Sequence, residues 1–368
     1  MKRKIIIVSV VIVLIVALIG CENKETTNPI DTGNDTDNVV GQPTGNEDKQ
    51  DKADNQNVNN QNDAENQDKQ NSQQKSEFTA PLTGLPVDDE INTKIFAVMV
   101  NNHRLARPQS GLDQADIVYE VLTEATITRF VAVYQSQEPK VIGPVRSIRP
   151  YFIDIMNGFD ALLVHAGASP AAYTTIFNNP LPDLDGLKVA GEAYWREDFR
   201  EEPHNLYTSA ERIRKAAEKR GYQSEGYIPQ FIFYDENHQV KGDSAKIINI
   251  EYYADYVVLY KYDQETKLYK RFINSKPHTD LETKEQLIAK NILVIGADHK
   301  IIDGVGRREI DVYGPGEGYL FQNGVAREVT WQRKNGVIRA YIDGKEQGLY
   351  PGQTWIIVVP ILTNVSYE

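Results

Sequence analysis

The sequence predicts an α/β domain over residues 78–228 followed by a mainly β domain, sandwich- or barrel-like, over 229–368. Two textures carry this. Up to about Tyr227, apolar β-branched runs alternate with segments of helical pattern, the order expected of an α/β unit. Beyond it, short strand-like runs follow one another with turn dipeptides beside them. All 34 aromatic residues lie from Phe78 onward, so the material for a core is confined to this part of the chain.

The leader has a different composition. Lys2-Arg3-Lys4, an apolar run from Ile5 to Ala17 and Leu18-Ile19-Gly20-Cys21 form the layout of a secretory signal over residues 1–20. The stretch from Ile5 to Ile19 falls short of the roughly 18 to 20 apolar residues that a membrane-spanning helix needs. Leu18 to Cys21 resembles the lipobox of bacterial lipoproteins, in which the thiol takes a diacylglycerol and cleavage leaves that cysteine first. Cys21 is the one cysteine of the chain, so it is the expected lipidation site and the membrane the expected partner, with the body on the extracytoplasmic face. Residues 22 to 77 hold 12 Asn, 8 Gln, 13 acidic and 5 basic residues. Such a segment buries too little apolar area to offset its ordering entropy, and 21–77 reads as a disordered tether. As a flexible coil it spans about 40 Å root-mean-square.

Within the body, strands are expected at Ile95–Asn101, Ile117–Leu122, Arg129–Gln135 and Ala161–His165. Ser169-Pro170 reads as N-cap and first helical residue of a helix through Phe177. Thr208-Ser-Ala-Glu211 has the capping-box pattern, with Gly221 as the helix stop. Further strands are expected at Ile247–Tyr252, Tyr256–Tyr262, Leu268–Ile273, Ile292–Ile295, Ala326–Gln332, Val337–Ile342 and Trp355–Val359, with Asn335-Gly336 and Asp343-Gly344 as tight hairpin turns.

The formal net charge of −12, of which about −7 belongs to the body from Phe78 onward, argues against nucleic acid as a partner. Without a second thiol the body has no disulfide or thiolate site, and without a P-loop or dinucleotide glycine pattern no cofactor is expected. The chemically suggestive residues fall in the first half. Asn102, Arg107 and Gln109 lie in a long polar connection, and such connections are uncommon unless they bind something. Arg146 and Arg149 are three apart, and Arg129 opens a strand. Guanidinium forks suit carboxylate or phosphate oxygens. Alternatively, these arginines brace loops by pairing with Asp116, Glu120, Glu124, Asp154 and Asp160. His165 and Ser169 sit at a strand end and a helix start, which could form an oxyanion site or a simple cap. Arg196, His204 and Asn205 form a third group. His103, His165 and His204, with an Asp or Glu, are the residues to weigh as a metal site, but none has the i,i+4 spacing of a zinc-binding helix, and no metal is expected. His238, His278 and His299 read as surface or turn histidines.

The strings PLTGLP from Pro81, NNHRLARPQSGLDQADIVYEVLTEATITRFVAVY from Asn101, IGPVRSIRPYFIDI from Ile142, LLVHAGASP, YWRE, EPHNLYTS and the closing PGQTWIIVVP resemble the YerB family of bacterial lipoproteins. The resemblance covers essentially the whole body. It implies an N-terminal α/β-type domain followed by its own C-terminal domain, with no reaction to carry over, and it includes Asn102, Arg107, Gln109, Glu124, Arg129, Arg146, Arg149, His165, Ser169, Arg196, His204 and Asn205 among positions that could line a site. One departure is Ala125-Thr126, where a Gly-rich step after Glu124 is expected. Two functions are compatible with these residues. The first is an anchored binding protein whose cleft holds an anionic group of a wall polymer, peptide or metabolite, or that meets an envelope protein. The second is a hydrolase or transferase acting on an envelope glycan or peptide, with His165 or His204 as base and Glu124 or Asp116 as acid.

Overall fold

The computed structural model describes residues 78–189 and 191–368; Cys21 and the segments expected to be signal and tether lie outside the described residues. After a short antiparallel pairing of Phe78–Thr79 with Pro86–Val87, the first half has three runs that are buried along their whole length: β1 (Phe96–Asn101), β2 (Ile117–Leu122) and β3 (Thr128–Tyr134). Continuous burial on both faces marks a central sheet covered on each side. Then come helix α1 (Pro150–Met156), β4 (Leu162–His165), helix α2 (Pro170–Asn178), β5 (Asp183–Asp185), the hairpin β6 (Tyr194–Arg196) and β7 (Leu206–Thr208), and helix α3 (Ala210–Lys219).

The helix ends follow their local chemistry. Ser169 Oγ accepts from Ala172 N at 3.3 Å and Pro170 starts α2. The cap of α3 is Ser209, whose side chain accepts from Arg212 N, one residue later than the capping-box reading. Thr208 is taken by β7: its Oγ1 donates to Ala193 O at 2.7 Å and its backbone pairs with Ile142. Gly221, at φ +69°, follows the last turn.

The second half is strands: β8 (Ile247–Tyr253), β9 (Tyr256–Asp263), β10 (Leu268–Ile273), β11 (Asn291–Gly296), β12 (His299–Ile301), β13 (Arg308–Ile310), β14 (Gly316–Gln322), β15 (Val325–Lys334), β16 (Val337–Ile342), β17 (Thr354–Val359) and β18 (Val365–Tyr367). Asn335-Gly336 and Asp343-Gly344 turn with positive φ at both residues, as tight hairpins require. Strand β14 has no counterpart among the expected strands, because its glycines mask it. Gly318 lies against Val294 of the neighbouring strand, where a Cβ would come within 2.5 Å of the Val294 carbonyl oxygen.

The described chain is mostly β, arranged in several sheets. The largest runs in the order β16-β15-β14-β11-β17-β2-β3-β1-β4-β5. Strand β17 is parallel to both β11 and β2, so strands from both sides of residue 228 share this sheet. In the first half the sheet is mixed: β3 is antiparallel to β1 and β2, whereas β1, β4 and β5 are parallel. A second sheet holds β10, β9, β8 and β18. Its inward side chains Ile248, Ile250, Val258 and Tyr260 share one apolar cluster with Val98, Val100, Phe130, Val294 and Trp355 of the large sheet. On the opposite face Ala97, Met99, Tyr119 and Val131 pack with Phe152, Ile153 and Met156 of α1 and Ala172 and Ile176 of α2. Alternate residues of one strand thus serve two cores.

The turn between β2 and β3 puts Ala125 at φ +49°, with Ile127 N donating to Glu124 O at 3.1 Å. This is the place where glycine was expected, and a Cβ in the left-handed region costs roughly 1 to 2 kcal/mol. Ala125→Gly should therefore raise stability by about 1 kcal/mol, seen as a higher urea midpoint at unchanged m-value. A lower midpoint would refute strain at this turn.

Candidate functional site

The connection after β1 is held from below by a closed hydrogen-bonded ring. Arg271 Nη2 donates to Glu120 Oε2 at 2.7 Å, and Glu120 Oε1 accepts from Asn102 Nδ2 at 3.3 Å. Asn102 Oδ1 accepts from Gln109 Nε2 at 3.0 Å, and Gln109 Oε1 faces His278 Nε2 at 2.7 Å. His278 Nδ1 accepts from Arg271 Nε at 3.1 Å, which closes the circuit. Thr128 and Tyr256 also donate to Glu120, and Arg107 donates to both oxygens of Asn102. Asn102, Arg107 and Gln109 are thereby consumed in shaping the loop. His278 is a correction to its reading as a surface histidine: it is buried, and burial followed by Arg271 and Arg107 pushes its pKa well below the ordinary value. His299 is likewise largely enclosed, and burial brings it down to about 4.

Above this base, Asn101 ends β1. Its Oδ1 accepts from the His103 backbone N–H at 3.0 Å, and its Nδ2 lies 2.8 Å from His204 Nδ1. His103 and His204 stack, with ring centroids 4.7 Å apart and planes within 11°. Arg200 fastens the two segments by donating to Ala106 O and Pro108 O. Arg196 bonds Asn205 Oδ1 at 2.7 Å and Glu202 at 3.2 Å, so Arg196 and Asn205 shape the loop that presents His204.

Three guanidiniums gather around one carboxylate. Arg149 donates through Nε to Glu124 Oε1 at 2.6 Å and also through Nη2. Arg129 lies 3.7 Å from Glu124 and donates to Ser147 O at 2.6 Å. Burial and the neighbouring Arg149 bring Arg129 down to about 9. Burial opposes ionisation of Glu124, but Arg129 and Arg149 outweigh it and hold its carboxyl below the usual range. Arg146 is anchored by its backbone, N to Met99 O at 2.8 Å. Among the described residues its guanidinium has no hydrogen-bond or ion-pair partner, and its Nε is enclosed. Its charge is felt at both His103 and His204. The cluster stands where parallel β1 and β4 end: Ala166 N, just past β4, donates to Arg146 O.

His165 and Ser169 do other work. The His165 ring is fully buried, with Nδ1 2.9 Å from Gly167 O and Nε2 3.2 Å from Asp183 Oδ2, and Ser169 caps α2. Of the three histidines weighed for a metal, the structure brings His103 and His204 together, while both ring nitrogens of His165 are engaged with its own neighbours. A cleft of about 1050 Å³ opens between residues 149–171 and the β12–β13 hairpin, lined by Arg149, Ser169, Lys300, Arg307 and Arg308 among others. Arg149 is common to this cleft and to the arginine cluster.

The sequence reading named Glu120 only as a possible brace, and it missed Arg271. A signal was present: in Leu268–Ile273 the buried residues Tyr269, Arg271 and Ile273 alternate, so Arg271 is on the inward face of its strand.

Two outcomes test these assignments. Because removing one member of a buried pair strands the other, Arg271→Met should cost about 3 to 5 kcal/mol, whereas the double change Glu120→Leu/Arg271→Met should cost clearly less than the sum of the single changes in chemical denaturation. The lowered Glu124 pKa stabilises the fold above the unfolded value of about 4.3 and that stability is lost as pH falls through the folded value. Glu124→Gln should therefore flatten the acid limb of a stability–pH curve; an unchanged limb would refute the pairing.

Residues 82–223 match the model described as "Protein of unknown function (DUF3048) N-terminal domain", and residues 248–356 match the corresponding C-terminal domain. A Bacillus subtilis (strain 168) protein named "Putative lipoprotein YerB" is 42% identical over 291 residues, covering 78% of this chain and 88% of that protein. The crystal structure of the YerB protein from Bacillus subtilis superposes with a TM-score of 0.74 at 41% identity, covering 79% of this chain and 99% of that one. With both domain models matched in order and this identity across the body, the chain belongs to the YerB-like DUF3048 family.

Proposed function

We propose that this protein is anchored to the membrane through lipid on Cys21, on its extracytoplasmic face, and that its folded part binds an anionic component of the envelope at Arg146. The anchor rests on the Lys2-to-Cys21 pattern and on the name of the Bacillus subtilis relative. Residues 21–77 are the tether, and the 78–228 part carries the site.

The observation that carries the binding reading is that, among the described residues, Arg146 alone of the three clustered arginines keeps a guanidinium without a partner. Glu124 is already shared by Arg129 and Arg149. A desolvated cation with spare donors favours an incoming carboxylate or phosphate. Three of the four groups that an acid–base mechanism would recruit are engaged elsewhere. His165 is enclosed between Gly167 and Asp183, Glu124 is held ionised by two arginines, and Asp116 is buried while accepting from Gln135 N and Ser136 N. These facts support binding over turnover.

The test is a thermal-shift titration of the purified protein with inorganic phosphate, acetate and soluble wall fragments, with product formation followed in parallel. Stabilisation without turnover is expected. Charge-assisted bonds contribute about 1.5 to 3 kcal/mol, so Arg146→Gln should weaken binding on the order of 10- to 100-fold, while Lys215→Gln on the exposed face of α3 should not. Equal stabilisation of Arg146→Gln, or release of product from a fragment, would overturn the reading.

A further inference from the structure

His103 and His204 each have one ring nitrogen already spent, and the spent atom determines where the ring hydrogen sits. The Asn101 amide is oriented by the His103 backbone N–H, which donates to Oδ1 at 3.0 Å. The amide group facing His204 Nδ1 at 2.8 Å is therefore Nδ2. An amide N–H can only donate, so His204 Nδ1 accepts and the hydrogen of that ring is on Nε2. The same holds for His103, whose Nδ1 accepts from the Leu105 backbone N–H at 3.2 Å. Both rings are neutral Nε2–H tautomers, stacked nearly parallel. Electrostatics agree: burial, then Arg104, Arg107 and Arg146, disfavour a charge on His103, and burial, then His103, Arg146 and Arg200, disfavour one on His204.

Among the described residues neither Nε2 has a protein partner, and neither is an enclosed orphan. The site thus offers two neutral N–H donors near one unpaired guanidinium. A guanidinium fork matches a carboxylate, whereas a neutral N–H matches an uncharged carbonyl oxygen. Apolar side chains stand beside these polar groups. Leu105 is 59% exposed and follows His103 by two residues, and Leu187 is 65% exposed. Leu187 covers Gly167, where an added Cβ would meet Leu187 Cδ1 at 2.9 Å and Ser147 Oγ at 3.5 Å; Ser147 is the neighbour of Arg146.

We propose that the site takes the carboxy terminus of a peptide, with the terminal carboxylate on Arg146, adjacent carbonyl oxygens on the Nε2–H groups of His103 and His204, and an apolar side chain against Leu105 or Leu187. This deepens the anion-binding reading and rests on it. The neutral donors thereby serve recognition, and an imidazole with its free nitrogen protonated is no general base.

The experiment compares three probes by calorimetry on the full chain: acetyl-Ala-Ala-Ala with a free carboxylate, the same peptide amidated, and inorganic phosphate. The free acid should bind, and amidation should weaken it about tenfold or more, the scale of one charge-assisted bond. His204→Phe should weaken it by about tenfold, while His204→Gln, whose amide nitrogen can replace Nε2, should retain binding. Affinity should be flat between pH 6 and 8, and nitrogen-15 spectra should show Nε2-protonated, neutral rings at both positions. Phosphate bound through Arg146 with no binding of the peptide acid would overturn this proposal and leave the anion-binding reading standing. Absence of binding by all three probes would overturn both, and a charged or Nδ1-protonated ring would overturn the peptide assignment alone.

Discussion

Glu120 and Arg271 form an ion pair with both side chains fully removed from solvent. Removing two charges from water costs several kcal/mol per ion, and attraction between them compensates only if every remaining donor and acceptor is satisfied. Each nitrogen and oxygen of this pair has a partner. Arg271 bonds Glu120, Tyr260 and His278, and its guanidinium lies 4.6 Å from the ring of Trp355. Burial opposes its charge, but Glu120 outweighs burial and its pKa is raised. Glu120 in turn accepts from Thr128, Tyr256 and Asn102. No member of this set can leave without stranding another, so residues 102–128 and 256–278 are ordered as one unit.

The functional consequence lies in the loop that this unit supports. Asn102 and Gln109 are fixed points, and the residues between them carry His103 and Leu105 outward. A hydrogen-bonded imidazole on such a base has few ways to turn, and Asn101 and Leu105 remove the rest. The same loop is joined through Arg200 to the segment bearing His204. The stacked rings therefore meet as two preset surfaces, which lowers the ordering cost of capturing a ligand.

Much of this was readable from residue patterns, and the limits have physical causes. β-Branched runs located β1, β2 and β3, and Asn335-Gly336 and Asp343-Gly344 located the turns on either side of β16, because those signals are local. Strand β14 was hidden because Gly316 makes room for the Trp331 indole and Gly318 for the Val294 carbonyl, rather than serving propensity. Helix α1 was hidden in an apolar stretch after Arg149, although Pro150 at its first position was a usable mark. The insertion of β17 between β2 and β11 joins residues 237 positions apart, Val358 against Val121, and no periodicity encodes such a partner. Likewise, alternation with Tyr269 and Ile273 could place Arg271 inward but could not name Glu120. Sequence alone treats Arg129, Arg146 and Arg149 alike, and only geometry separates the two that share Glu124 from the one that does not.

That separation explains why a brace and a ligand site can occupy the same few residues. Glu124 cannot balance three guanidiniums, so its choice of partner decides which arginine keeps spare donors. Because Glu124 accepts from Arg149 through two guanidinium nitrogens and lies by Arg129, the excess positive charge is left at Arg146, next to rings that stay neutral. Neutral rings matter for the balance: two imidazolium charges beside three guanidiniums would repel one another in a partly desolvated site. The tautomers set by Asn101 and Leu105 avoid that repulsion while keeping both donors in place. The geometry thus concentrates charge at one point and hydrogen-bonding capacity at two others, a division suited to a ligand that is itself charged at one end and merely polar along its length.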